Sequence, residues 1–370
     1  MPNQNTDKTG NNSTLQDVGV ILDSAGKHNS LIFDRLNRPL KDLRISITDR
    51  CNFRCLYCMP KQVFGKDFRF IQHSDMLSFE EISRVAQCFV NLGISKIRLT
   101  GGEPLLRRNI ERLVSYLSQI RNSDGNLIDL TLTTNGSVLS QKARTLFDAG
   151  LKRITISLDA IDDAIFRKIN DVDFPVSRVL KAIEKAVETG FSPVKVNAVI
   201  RKGINENQIL PLVRHFRNSS VILRFIEYMD VGSSNLWMDS LITPSIEIQK
   251  IINSEYPIEQ LPPNYPGETA QRWKYRDEKG EIGIIASITE PFCRECTRLR
   301  LSTDGKLYPC LFSNQGFDLK TLLRSEQTDR QLMKAIAAYW NSRNNRYSEL
   351  RQTGTSSIKE QKIEMHYIGG

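Results

Sequence analysis

Six of the seven cysteines in this chain of 370 residues fall into two groups of three. Cys51, Cys55 and Cys58 stand in "CNFRCLYC" as C-x-x-x-C-x-x-C, whereas Cys293 and Cys296 form a C-x-x-C that Cys310 follows after thirteen intervening residues. Structural zinc takes four ligands, so each group is one short, and none of the four histidines lies near either in sequence. Thiolates are also the ligands of iron–sulfur clusters. A four-iron cluster held by three cysteines leaves one iron open to another molecule. Cys88 stands apart in an expected helix, where packing is its simplest role.

These groups need elements to position them. Six β-like runs begin at residues 43, 96, 129, 153, 194 and 221, with helical patterns between them. The clearest helix is 78 to 93, with a Ser78/Glu81 capping box, apolar residues at helical spacing and Gly93 as its stop. Strands alternating with crossover helices imply a parallel sheet curling towards a barrel, here a (β/α)6 partial TIM barrel. Along the strands polar residues recur at every second position: Arg44, Ser46 and Thr48; Arg98 and Thr100; Thr131, Thr133 and Asn135; Thr155, Ser157 and Asp159; Lys195 and Asn197; then Arg224. Crossover helices cover the outer face, so the polar face looks inward. Closed barrels fill that space with Val, Ile and Leu. A polar, basic lumen is therefore expected to be hollow and to hold an anion.

The pattern changes near residue 260, where "LPPNYPG" marks a boundary. We divide the chain into a flexible tail, 1–30, a barrel, 31–260, and a C-terminal region, 261–370. The last is expected to carry short strands around 273 to 288, helices near 318 to 325 and 329 to 341, and a polar, loop-like stretch at 343 to 362.

With 40% hydrophobic and 25% charged residues the composition is that of a folded globular protein, and 51 Lys plus Arg against 42 Asp plus Glu leave a net charge of +9. The excess favours anionic partners. No dense Lys/Arg run with interleaved aromatics supports a nucleic-acid groove. No stretch approaches the roughly 20 apolar residues that would cross a membrane, and the first 30 residues read as neither signal nor transit peptide. A cytoplasmic location is expected, where thiols stay reduced and serve as ligands.

"LRISITDRCNFRCLYCMP" with "RLTGGEPLLRR" resembles the radical S-adenosylmethionine (SAM) superfamily. Together with "TLTTNG", "ISLDAID", "VKVNAVI", "LRFIEYMDVG", "CRECTRLRLSTDGKLYPCLF" and the final "MHYIGG", it resembles the GTP 3′,8-cyclase family of molybdenum cofactor biosynthesis, from about residue 33 to the end. The resemblance implies two 4Fe-4S clusters, one on Cys51, Cys55 and Cys58 that binds and cleaves SAM, and one on Cys293, Cys296 and Cys310. It places Tyr57, Gly102, Ser157 and Met229 against SAM, and Arg44, Arg98, Thr133, Lys195, Arg298 and Arg300 against GTP. It gives Gly369 and Gly370 a catalytic role at the active site. Implied partners are cyclic pyranopterin monophosphate synthase as the downstream enzyme, a reduced flavodoxin- or ferredoxin-type donor, and a second copy in a homodimer.

Two other readings share part of this pattern. A radical SAM peptide-modifying enzyme with an auxiliary cluster usually has more C-terminal cysteines and lacks the "CTRLR" and Gly-Gly features. A two-cluster electron carrier would need four cysteines per cluster and no basic barrel.

Overall fold

The structure, a computed structural model, describes residues 31–235, 237–352 and 362–370. The expected tail, 1–30, and residues 353–361 of the expected loop lie outside the described residues.

The six expected strands are present as β1 (Asp42–Ser46), β2 (Lys96–Thr100), β3 (Asp129–Thr134), β4 (Arg153–Ser157), β5 (Val194–Ile200) and β6 (Val221–Glu227), each parallel to the next. Their apolar residues, such as Leu43, Ile45, Ile97, Leu99, Val196 and Phe225, are wholly buried under the helices. The helices are α1 (Phe79–Asn91), α2 (Ile110–Ser118), α3 (Leu139–Asp148), α4 (Asp163–Asn170), α5 (Val176–Thr189), α6 (Ile209–Phe216) and α7 (Ser245–Glu255). The Ser78/Glu81 capping box closes in both directions at the start of α1, a cap worth about 1 kcal/mol. Cys88 is buried on that helix, as a packing residue should be.

The C-terminal region builds onto both edges of the same sheet. β7 (Ile258–Leu261) straddles the boundary expected at 260, and β8 (Gln271–Tyr275), β9 (Glu281–Ile285), β10 (Arg298–Leu301), β11 (Lys306–Tyr308) and β12 (Phe317–Asp318) follow, giving the order β12-β11-β10-β1-β2-β3-β4-β5-β6-β9-β8-β7. β10 joins β1 and β9 joins β6, both in parallel, so the six-stranded barrel gains a parallel strand on each side. Sequence periodicity alone could not reveal this, because pairing between distant segments leaves no local trace.

Helices α8 (Leu319–Arg324) and α9 (Asp329–Asn341) fall where expected. The stretch read as a loop differs: Tyr347–Gln352 is helical, α10, and the chain ends in α11 (Met365–Ile368). Polar composition hid α10, which is held by tertiary contacts such as Tyr347 stacked on Phe312 at 4.5 Å between ring centroids.

Candidate active site

Topology alone sets the two cysteine groups apart. Cys51, Cys55 and Cys58 leave the C-terminal end of β1, whereas Cys293 and Cys296 precede the N-terminal end of its parallel neighbour β10. β11 runs antiparallel to β10 and returns Cys310 to that same end. A five-residue strand rising about 3.3 Å per residue separates the groups by roughly 15 Å. All six cysteines border one cavity of about 740 Å³. The two groups thus face each other along a channel.

At the first group, the backbone N–H groups of Cys58 and Met59 both donate to the Cys55 carbonyl at 2.9 Å, winding the loop into a turn. Arg54, which sequence reading passed over, clamps it: its guanidinium donates to the carbonyls of Cys51 and Phe53 at 2.8 Å and of Phe64 at 2.9 Å. Burial, followed by the neighbouring Glu103 carboxylate, pushes the Cys51 thiol up to about 12, and burial and the adjacent sulfurs push Cys55 and Cys58 up as well. Metal binding would take these protons off. Among the described residues no three His, Cys, Asp or Glu side chains converge as they would on a single ion. Three thiols in C-x-x-x-C-x-x-C spacing suit an iron–sulfur cluster, in which each thiolate would meet its own iron.

The Gly-Gly pair of "TGGEP" has a more direct duty than the ligand contact expected of it. A Cβ on Gly101 would lie 2.4 Å from the Thr48 carbonyl oxygen, and one on Gly102 2.3 Å from that of Arg50. The glycines admit the cysteine-bearing loop itself. Glu103 then ties this corner to β3, accepting from the Thr134 hydroxyl and the Asn135 N–H at 2.7 Å, while burial raises its carboxyl to about 7. Gly102→Ala should therefore displace the loop and empty the first site of iron while sparing the second, which iron analysis and 5′-deoxyadenosine assays would register. A variant with full iron and normal SAM cleavage would count against this.

Tyr57, Gly102, Ser157 and Met229 all border the cavity, with Ser157 ending β4 and Met229 just beyond β6. Tyr57 donates to Asp159 Oδ2 at 2.8 Å, and burial raises that carboxyl to about 6.

Strand register explains the basic floor. Across β10, β1, β2 and β3, Arg298, Asp42, Lys96 and Asp129 are lateral neighbours, so charges in that row alternate. Two residues on, Arg300, Arg44 and Arg98 stand side by side with no acid between them. Burial and then the charges of Arg300 and Arg298 lower Arg44 well below the usual range. Burial first, then Arg298, brings Arg300 to about 10. The buried atoms Arg44 Nε, Arg224 Nε and Asn197 Oδ1 have no hydrogen-bond partner among the described residues. Like charges aligned in a cavity, with Arg44 Nε and Arg224 Nε as spare donors, suit an anion. Thr133 accepts from Arg98 at 2.9 Å, and Lys195, like the other expected residues, borders the cavity. Arg224, expected on the inward face, borders it as well, and so do Lys96 and Arg153, which the sequence reading did not single out; they stand two residues before Arg98 and Thr155 on the alternating face, and that spacing was the signal that could have found them.

At the second group, Cys296 Sγ accepts from Arg298 Nη2 at 3.3 Å and from Arg343 Nη2 at 3.2 Å. Burial would raise this thiol, but the two guanidinium groups override it and hold it at about 5. Cys310 is pushed up by burial.

The tail also enters. Gly369 is buried, with φ +77°, and its carbonyl accepts from Arg300 Nη1, while Gly370 borders the cavity. His366 and Ile368 are buried, and His366 packs on Phe64 at 4.6 Å. Asp230, just after Met229, forms a latch missed in the sequence: it accepts from the Tyr347 hydroxyl at 2.5 Å, Lys362 Nζ at 2.7 Å and Arg351 Nη1.

Residues 45–216 match the family model of the Radical SAM superfamily, and residues 221–349 match that of Molybdenum Cofactor Synthesis C. The GTP 3′,8-cyclase of Acidothermus cellulolyticus is 48% identical over 362 residues, covering 92% of this chain and 99% of that protein. The GTP 3′,8-cyclase of Staphylococcus saprophyticus is 47% identical over 341 residues, with the same coverage of both chains. In fold the chain is similar to Streptococcus suis SuiB bound to S-adenosylmethionine, with a TM-score of 0.56 over 85% of this chain and 69% of that one at 15% identity. With fold, motifs and near-full-length relatives in agreement, the chain belongs to the GTP 3′,8-cyclase family of the radical SAM superfamily.

Proposed function

We infer that this chain is a GTP 3′,8-cyclase of molybdenum cofactor biosynthesis. The single observation that carries the reading is the placement of two three-thiol sites at opposite ends of one basic cavity. The enzyme uses two 4Fe-4S clusters and SAM. When bound, the first cluster and SAM would supply the reductive radical chemistry that converts GTP to 3′,8-cyclo-7,8-dihydro-GTP.

The chain's own residues place, neutralise and enclose. Cys51, Cys55 and Cys58 hold the first cluster, and Tyr57, Gly102, Ser157 and Met229 hold SAM beside it. Cys293, Cys296 and Cys310 would hold the second cluster, which would supply an open coordination position for the substrate. Arg44, Arg98, Thr133, Lys195, Arg298 and Arg300 hold GTP, the forked arginine donors being suited to triphosphate oxygens. Gly369 and Gly370 close the pocket and exclude water. In this division residues 31–260 carry the radical chemistry and 261–370 carry the auxiliary cluster and close the nucleotide site. A cytoplasmic location, a flavodoxin- or ferredoxin-type donor, a homodimer and transfer of product to cyclic pyranopterin monophosphate synthase complete the reading. No helix among the described residues is long and apolar enough to cross a membrane.

The peptide-modifying reading draws on a fold shared at 15% identity, against 48% for the cyclase relative. An anaerobic assay with SAM, dithionite and each nucleoside triphosphate in turn, with mass analysis of products, separates them. Cyclised nucleotide from GTP alone supports the cyclase; 5′-deoxyadenosine without nucleotide turnover points to the peptide modifier, and no 5′-deoxyadenosine at all points to the carrier.

Lys195 gives a pH signature. Burial, followed by Arg224 and Arg153, lowers its ammonium to about 8, and burial brings Lys96 to about 8 as well. Both are charged below that pH and neutral above it. A polyanion binds the charged form, so each lysine that must take up a proton weakens GTP binding by up to about tenfold per pH unit above its pKa. Calorimetric titrations from pH 7 to 9.5 should show the decline, and Lys195→Arg should flatten part of it. An affinity unchanged across that range would remove the lysines from the triphosphate site.

A further inference from the structure

Asp34 and Arg38, in the turn before β1, and Arg343, just past α9, form a buried charged cluster that the proposed chemistry leaves unused. Their side chains are at most 2% exposed. Arg38 Nε donates to Asp34 Oδ2 at 2.6 Å, and Arg343 Nη1 donates to the same oxygen at 3.2 Å. Oδ1 accepts from the backbone N–H groups of Leu36 and Arg38 at 2.9 Å. Two arginines against one aspartate leave one positive charge in excess. Desolvation offsets most of the attraction in such a triad, so apolar packing would serve the fold as well.

Its outward contacts indicate another duty. Arg38 Nη1 donates to the Cys293 carbonyl at 2.7 Å and the Asn345 carbonyl at 2.9 Å. Arg343 Nη1 donates to the Cys296 carbonyl at 2.8 Å, and its Nη2 donates to Cys296 Sγ at 3.2 Å. Both ends of the C-x-x-C are therefore gripped by one network, and a sulfur receives an N–H from it. Trp340 shields the network, with its ring centroid 4.5 Å from the Arg343 guanidinium carbon and its Nε1 donating to the Arg38 carbonyl at 3.1 Å.

We propose that Arg343, oriented by Asp34 and backed by Arg38, is a positioning residue that sets the geometry and reduction potential of the auxiliary cluster. The inference rests on the assignment of Cys293, Cys296 and Cys310 as that cluster's ligands. Potential follows net charge and hydrogen bonds to the sulfurs. Reduction adds negative charge, which a shielded guanidinium stabilises, so Arg343 raises the potential. Arg298 also reaches this sulfur, but it is assigned to GTP; Arg343 borders the cavity too, yet its side chain is only 2% exposed and is held by Asp34.

The test uses the full-length chain carrying Cys51→Ala, Cys55→Ala and Cys58→Ala, reconstituted anaerobically so that only the second cluster, about four irons, remains. A parent without iron would refute the ligand assignment, a failure separate from this one. Given a loaded parent, Arg343→Met should lower the midpoint in an EPR-monitored redox titration by the equivalent of about tenfold in the one-electron equilibrium, about 59 mV. Arg343→Lys, which keeps the charge but loses the fork, should recover part of the shift. An Arg343→Met protein that holds four irons at the parent's midpoint overturns the proposal. Should Met prevent folding or iron uptake, Arg343→Lys carries the test, because Asp34 keeps a charged partner; a midpoint and EPR line shape identical to the parent's then overturn it.

Discussion

Replacing Cys51, Cys55 or Cys58 by Ala should abolish 5′-deoxyadenosine formation altogether, whereas replacing Cys293, Cys296 or Cys310 should leave some SAM cleavage but no cyclised nucleotide. The asymmetry follows from topology. The groups leave opposite ends of the parallel neighbours β1 and β10, roughly 15 Å apart, so one can be emptied while the other stays intact. The first group's surroundings include the Arg54 clamp, the Gly101 and Gly102 corner, Glu103, and Asn170, which accepts from Cys55 Sγ at 3.1 Å. None of these touches Cys296, whose neighbours are Arg298 and Arg343. Iron analysis should therefore fall from about eight per chain to about four in either set of variants, with opposite consequences for SAM. A reconstituted wild-type chain with zinc only, or with four irons, would refute the two-cluster reading. Loss of both clusters on changing any one cysteine would show the sites to be coupled in a way the channel does not require.

Much of this was legible from residue order because the information is local. Alternation along β1 to β6 marked the inward face, and Arg44, Arg98, Thr133 and Lys195 do border the cavity. The cysteine spacings exposed the two groups, and the Ser78/Glu81 pair marked the start of α1 correctly. What stayed hidden is held together by residues far apart in the chain. Arg343 reaches Asp34 across 309 positions, and Lys362 reaches Asp230 across 132. Nothing in the spacing of either pair announces a contact. Arg54 was passed over for a different reason: an arginine inside a cysteine motif reads as a solvated charge until its three carbonyl partners are seen. α10 was read as a loop because its order comes from Asp230 and Phe312 and not from an apolar stripe.

Deleting Gly369 and Gly370 should lower formation of the cyclised nucleotide by orders of magnitude while iron content, SAM cleavage and thermal unfolding stay close to wild type. Neither glycine has a side chain that could act as acid or base, so the effect comes through the backbone and where it is placed. What anchors the tail lies upstream of them. Ile368 and His366 are buried, the Tyr367 hydroxyl donates to Asp304 Oδ1 at 2.5 Å, and Glu364 accepts from Ser233 N–H at 3.0 Å and the Ser234 hydroxyl at 2.9 Å. Those contacts survive the deletion, which is why the fold should not notice it. Arg300 does lose its partner, because its Nη1 donates to the Gly369 carbonyl. Without that acceptor, a guanidinium standing in register beside Arg44 has every reason to swing away from its like-charged neighbour, and the nucleotide row loses its alignment. Gly369→Ala tests the same idea without shortening the chain. Its Cβ would lie 2.2 Å from Thr100 Cγ2 at a φ of +77°, so the carbonyl should be displaced and cyclisation should fall almost as far. A synthetic peptide ending in Gly-Gly, added in excess to the truncated enzyme, should restore part of the activity by mass action. Full cyclase activity in the truncated protein would return the glycines to the status of an inert end and leave Arg300 to be positioned by its strand alone.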